Sequence, residues 1–214
     1  VREGSRHAQS NERFQEDVMN KTTRKTFHKT GLAMLLAAAS LPALAMQVSG
    51  VNMADSANVG GKPLVLNGAG LRTKFGLADV YVMGLYLPAK SKDANSIINE
   101  QAPRRVTLVM KRDLDTDTLE NAFHEGLQAN LSKPELQKLQ PKIAQLDQRF
   151  VEVGAVKEGD ILNLDFGADG STQITYNGQQ KAAVAGSDLS SALLKIWLGS
   201  HPVQNSLKQE ILTG

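Results

Sequence analysis

Cysteine is absent from the 214 residues. That excludes a disulfide framework, a thiolate metal site, a cysteine nucleophile and a lipidated cysteine anchor. Aromatic residues are scarce, at 5% with a single tryptophan. Bulk charge of one sign is missing as well. The net charge is +2, but the surplus belongs to the N-terminus, with seven Lys/Arg against four Asp/Glu up to residue 45 and 17 against 18 from Met46 onward. The part after residue 45 therefore carries no positive field for nucleic acid. No apolar run approaches the ~20 residues that span a bilayer. There is no H-x-x-x-H, H-E-x-x-H or G-x-S-x-G spacing, and Gly68-Ala69-Gly70 lacks the third glycine of a dinucleotide fingerprint. Neither a metal nor a cofactor is expected. What is present, 41% hydrophobic and 21% charged residues, is the composition of a globular chain of one average domain or two small ones.

Residues 19–45 read as an export signal. Lys21, Arg24, Lys25 and Lys29 precede an apolar stretch at 31–41, Pro42 breaks it, and Ala43-Leu44-Ala45 is an A-x-A cleavage site. Residues 1–18 are polar and aperiodic and precede Met19, and are read as untranslated leader or a disordered segment. Residues 46–214 are then the folded domain. These features predict a periplasmic or secreted protein, cleaved near Ala45, with no stable membrane span after cleavage.

The pattern after Met46 opens with strands at 47–52, 64–75 and 79–87, the last two joined closely enough to pair as an antiparallel hairpin. A short helix at 93–99 and a half-buried strand at 105–112 follow. Leu119, Ala122, Phe123, Leu127 and Leu131 recur at helical spacing, with Asp117 and Glu120 placed as a capping box. Ser132 and Glu135 form a second box, with Pro134 in the first turn. Pro141 should kink or divide the helix they launch. Strands return at 160–166, 171–176 and 180–185. Ser187 should cap a helix that Gly199 stops, and a short helix at 206–212 closes the chain. Strands in one sheet with helices gathered on one side make an α+β fold.

Gly68-Ala69-Gly70-Leu71-Arg72 is the most informative stretch. Strict alternation puts Leu64, Leu66, Gly68, Gly70 and Arg72 on one face. Two glycines on one face of a strand call for a reason. One reading is an open cavity over the sheet with the Arg72 guanidinium held to receive an anion. The other is a bulge or close helix packing, with Arg72 salt-bridged at the surface, and the pattern alone leans that way. The next strand sends Tyr81, Met83, Leu85 and Leu87 to one face, so that Tyr81 adds an O–H donor beside the arginine. Asp113-Leu114-Asp115-Thr116-Asp117 imitates a calcium loop. It lacks the turn glycine and the bidentate glutamate, and reads as a polar turn with helix caps. His124 reads as a surface histidine. Arg104-Arg105 and Lys111-Arg112 read as solvated strand ends.

Taken in order, these segments resemble the chalcone isomerase-like family, most closely its exported bacterial branch. The matching stretches are Gly68 to Arg72, Tyr81 to Pro88, Lys111-Arg112-Asp113 leading into an amphipathic helix, and Leu193 to Gly199 with Pro202. The resemblance implies an open-faced β-sandwich, in which an antiparallel sheet carries helices on one side with a cleft between. In plant chalcone isomerases the arginine matching Arg72 holds the reacting phenolate for ring closure. A threonine on the next strand falls at Tyr81 here, and the helix tyrosine and asparagine fall near Leu119 and Gly126. Fatty-acid-binding members pair the same arginine with a tyrosine and bind a carboxylate, which Arg72 with Tyr81 resembles more.

The expected function is therefore a non-catalytic binder of a fatty-acid-like or other amphipathic anion. Arg72 and Tyr81 would hold the head group, and Met83, Leu119 and Phe123 would line the tail pocket. The alternative is an intramolecular lyase or isomerase on a phenolic or polyketide-like substrate, with Arg72 stabilising an oxyanion. Protein partners are not legible.

Overall fold

Period-two apolar patterning builds one large sheet. In a computed structural model that describes residues 46–213, β1 (Met46–Val48) and β2 (Val51–Met53) form a small hairpin. A seven-stranded sheet follows in sequence order: β3 (Ser56–Val59), β4 (Lys62–Lys74), β5 (Ala78–Leu87), β6 (Arg104–Met110), β7 (Ile161–Phe166), β8 (Thr172–Tyr176) and β9 (Gln179–Val184). Every neighbouring pair is antiparallel. Helix α1 (Ala94–Asn99) precedes β6, α2 (Thr116–Asn130) and α3 (Lys133–Val153) join β6 to β7, and α4 (Ser187–Leu198) and α5 (Asn205–Ile211) follow β9. The leader expected at 1–18 and the export signal expected at 19–45 lie outside the described residues. No described helix is long and apolar enough to cross a membrane.

The sheet is open-faced. One face carries the helices over a core that includes Met83, Leu85, Val106, Phe166 and most of α4. Helix α4 is apolar nearly all round because it is buried nearly all round, from Leu189 to Leu198. The opposite face has a small second core, in which Met53 of the β1–β2 hairpin packs on Leu64, Leu66, Ala69, Val82 and Tyr86. Further along, that face is polar. Arg105 pairs with Asp165 across β6–β7 (Nε–Oδ1 2.5 Å), and Thr107 donates to Asn163 at 2.7 Å. Such cross-strand pairs stabilise a solvated sheet face.

Several sequence expectations are corrected here. The single first strand is two, because Ser49 and Gly50 take φ of 46° and 80° and turn the chain back. Asp115, not Asp117, caps α2, accepting from the Thr118 N–H at 2.7 Å. Ser132 and Glu135 do form their box at α3, but Pro141 does not divide that helix. Leu139, Ile143 and Leu146 are buried on both sides of the exposed proline and hold the helix to the core. Helix α4 starts at Ser187 after Gly186, which has φ 111°, with no side-chain cap. Arg104 is not a solvated strand end. It is 3% exposed, donates to the Ile97 and Ile98 carbonyls that end α1, and lies 5.7 Å from the Phe166 ring centroid. Unpaired carbonyls at a helix C-terminus favour a cation there.

The largest correction concerns the two glycines. A bulge at Asn67 shifts the β4–β5 register between Leu66 and Gly68. Leu64 and Leu66 therefore face the small second core, while Gly68, Gly70 and Arg72 face the helices. A Cβ on Gly68 would lie 2.9 Å from the Ile211 Cα and nearer still to the Glu210 carbonyl. One on Gly70 would collide with the Glu210 side chain and lie 2.9 Å from Leu207 Cδ1. The missing side chains are the seat of α5 and not an open space.

Replacement of Gly68 by alanine forces α5 backbone off the sheet. It should destabilise the fold by about 1–3 kcal/mol, the usual cost of overpacking, read as a lower denaturant midpoint. A second expectation concerns acid. Hydrogen bonds from Ser132 and Lys195 hold the Glu135 carboxyl down at about 2. An unfolded glutamate titrates near ~4.3. The depressed folded value means that the cap contributes stability above that pH and loses it as pH falls toward 2. Glu135→Gln should flatten this part of the acid-unfolding profile.

Candidate functional site

Between the helix face of the sheet and helices α2, α3 and α4 lies a cavity of about 1000 Å³. This is the top of the ~300–1,000 Å³ range of small-molecule sites. Its floor is built from inward-facing positions of successive strands: Tyr81 on β5, Leu108 and Met110 on β6, Leu162 and Leu164 on β7, and Ile174 on β8. Its roof is Leu119 and Phe123 of α2, Leu146 and Phe150 of α3, and Ile196 and Trp197 of α4. Phe123 and Phe150 meet with ring centroids 5.3 Å apart, which ties α2 to α3 over the space. Helix α2 approaches α4 where it has no side chain, since a Cβ on Gly126 would lie 2.9 Å from Ile196 Cγ2. The body of the cavity is apolar and its lining carries charges of both signs, with Arg72, Lys74 and Arg112 at the β4–β6 side and Asp113, Asp115 and Glu125 following on toward and along α2.

Arg72 and Tyr81 face each other as direct partners in the β4–β5 register. The guanidinium is half-buried. It donates to the Thr73 carbonyl and to Gln204 Oε1 at 3.1 Å. No carboxylate among the described residues forms an ion pair with it. Gln204 is itself held, accepting from the Thr73 N–H at 2.9 Å and donating to the Leu71 carbonyl at 3.0 Å. The side chain thus stands in for a neighbouring strand along the free edge of β4 beyond Val65, where its pairing with β3 has ended.

Tyr81 receives a hydrogen bond from the Trp197 indole, Nε1 to Oη 2.9 Å. An indole N–H can only donate, so it takes up a lone pair of the phenol and leaves the hydroxyl proton without an acceptor among the described residues. Burial raises the Tyr81 pKa, while the Trp197 hydrogen bond and the Arg72 charge pull it back in part. The group stays a neutral donor near pH 7. Tyr176, which also lines the cavity, differs. Its hydroxyl donates to Asp160, which pushes its pKa up to about 12, and it has no proton to offer a guest. The wall near Arg72 and Tyr81 therefore presents a phenolic donor and a positive charge that no described carboxylate neutralises through an ion pair, which suits an anion.

Four of the five residues expected at the site line one cavity: Arg72, Tyr81, Leu119 and Phe123. Met83 does not. It is 0% exposed within the helix-side core, one inward position along β5 from Tyr81 and opposite Gly70, where α5 covers the sheet. Sequence reasoning missed Trp197 as a positioning residue and Gln204 as a clamp. The lone tryptophan on an apolar helix was the available signal for the first. Nothing marked the second. His124 is half-buried and meets Asp147 of α3 at 3.0 Å. With Glu120 these are the described group whose ligand atoms come within 4.8 Å of one another. None of the three lines the cavity, and the His124–Asp147 bond links α2 to α3.

The family model described as chalcone isomerase-like matches residues 45–213. The crystal structure of a fatty-acid binding protein of Arabidopsis thaliana has the same fold. The two superpose with a TM-score of 0.59 at 17% identity, covering 76% of this chain and 92% of that one. No curated protein matches the sequence.

Replacing Trp197 by phenylalanine removes the donor to Tyr81 and keeps the ring. The Tyr81 pKa should then rise above its value in the unaltered protein, because a hydrogen bond that favours the phenolate is lost. A spectroscopic pH titration of phenolate absorbance reads the shift.

Proposed function

This chain belongs to the chalcone isomerase-like family, and on that premise we propose that it binds a fatty-acid-like amphipathic anion without transforming it. The observation that carries the reading is the pairing of an apolar cavity with a guanidinium that has no ion-pair partner among the described residues, beside a phenol whose proton is unclaimed. A carboxylate head would receive hydrogen bonds from Arg72 and from the free Tyr81 hydroxyl, each charge-assisted bond contributing about 1.5–3 kcal/mol. The acyl chain would lie along Leu119, Phe123 and the strand floor. Burial of each methylene contributes about 0.8 kcal/mol, so ten supply ~8 kcal/mol before binding costs. The tail then supplies most of the affinity and the head sets orientation.

Two further facts support binding over catalysis. The resemblance places the helix tyrosine and asparagine of chalcone isomerases near Leu119 and Gly126, and neither of these can donate or accept through its side chain. Burial keeps Tyr81 protonated, which suits a donor and opposes a base. The fatty-acid binding named for the Arabidopsis structure is in keeping with this reading. An export signal at 19–45 would put the binding in the periplasm or outside the cell.

Arg72→Ala should weaken binding of a long-chain fatty acid by about 1.5–3 kcal/mol, ~10- to 100-fold in Kd, measured by displacement of a fluorescent fatty acid. Leu119→Trp, which puts a larger ring into the space expected for the acyl chain, should also lower binding and leave the thermal melt near its original midpoint. Unchanged affinity in both variants overturns the reading. Cyclisation of a chalcone that Arg72→Ala abolishes would favour the isomerase instead.

A further inference from the structure

At the tip of the β4–β5 hairpin, Phe75 and Leu77 are 87% and 92% exposed, the most exposed large apolar side chains among the described residues. The turn is closed by the Leu77 N–H donating to the Lys74 carbonyl at 3.2 Å. Its central residues, Phe75 and Gly76, have φ of 55° and 69°. That left-handed geometry favours asparagine or aspartate before glycine, and is unusual for a bulky side chain. An aromatic residue stands in solvent at a position that local backbone preference opposes. Neither the fold nor the cavity uses it, since neither tip side chain lines the cavity.

The surroundings of the tip are cationic. Lys74 precedes Phe75, with its Nζ 5.7 Å from that ring's centroid. Lys111 and Arg112 follow β6 at the same end of the sheet, where the Lys111 N–H donates to the Val80 carbonyl; the Lys111 ammonium donates to the Ser49 carbonyl at 3.1 Å, while Arg112 is exposed. Against them stand Asp79, which is exposed, and Asp113, which is held by Lys157 at 2.9 Å. Arg72, Lys74 and Arg112 also line the cavity, so the tip stands beside its charged rim.

We propose that this hairpin tip docks on an anionic lipid bilayer, with Phe75 and Leu77 entering the boundary of the acyl region and the exposed Lys74 and Arg112 meeting the head groups. Apolar side chains projecting beyond a ring of cations fit the interfacial zone of such a surface. Docking brings the rim of the cavity to the bilayer, the place where an acyl anion can pass in or out without crossing bulk water. The cargo in this picture rests on the ligand reading above, but the docking does not.

The test is flotation of the purified protein with vesicles of phosphatidylcholine alone and of phosphatidylcholine with phosphatidylglycerol, with no fatty acid added. Association with the anionic vesicles is expected, weakened at least about ten-fold in Phe75→Ser/Leu77→Ser and reduced by Lys74→Glu and by salt. Thermal melts and solution binding of a fluorescent fatty acid should be unchanged in the double variant. Absence of wild-type association overturns docking, as does association that the double variant retains. So does an oligomer that the double variant dissolves while vesicles bind neither form. A protein that docks but takes up no fatty acid keeps this proposal and loses the ligand reading. One that takes up fatty acid and ignores vesicles does the reverse.

Discussion

The close seat of α5 on Gly68 and Gly70 is the contact on which the site depends. A strand with side chains there could not admit helix backbone at van der Waals distance. Once seated, α5 supplies partners along the free edge of β4. The Ile211 carbonyl accepts from Asn67 at 2.8 Å, and Glu210 accepts from the Leu71 N–H at 3.1 Å. Gln204, at the start of α5, bonds both Leu71 and Thr73. An edge that would otherwise offer unpaired amides to another chain is covered. The same glutamine accepts a hydrogen bond from Arg72 and so gives the guanidinium a fixed place at the rim.

Helix α4 completes the arrangement from the other side. Its burial puts Trp197 against Tyr81, and that single indole donor sets the polarity of the phenol. A free phenol proton and a guanidinium without an ion-pair partner among the described residues then converge at one wall. Such a wall is unfavourable toward a cationic or purely apolar guest and favourable toward an anion. The remaining volume is hydrocarbon-lined and spans several strands. In the proposed reading, head-group recognition and tail burial would fall to different parts, Arg72 and Tyr81 as held by α5 and α4 for the first and the sheet floor with α2 and α3 for the second. The exposed Phe75 and Leu77 belong to neither part.

Much of the architecture was legible in the sequence. Alternation marked β4 to β6, turn residues bounded β7 to β9, helical spacing marked α2 to α4, and the Ser132–Glu135 box and Gly199 marked helix ends. These are local signals, and each has a local cause. The same alternation failed at Asn67, because one extra residue in a strand inverts every later side chain and leaves no mark in composition. It also failed at Arg104, whose charge suggested solvent while the end of α1 suits a cation.

Composition and periodicity alone determined that this chain folds as strands with helices to one side, that Arg72 and Tyr81 are neighbours across a hairpin, and that Leu119 and Phe123 share a helical face. Those facts follow from spacing within a few residues. Whether two glycines made a hollow or a seat was decided by a helix that lies about 140 residues later in the chain. Where the hollow then opened, away from Met83 and under α2 and α3, was likewise settled by how distant elements pack. Contact between remote segments depends on their shapes together, and no stretch of sequence carries that information by itself.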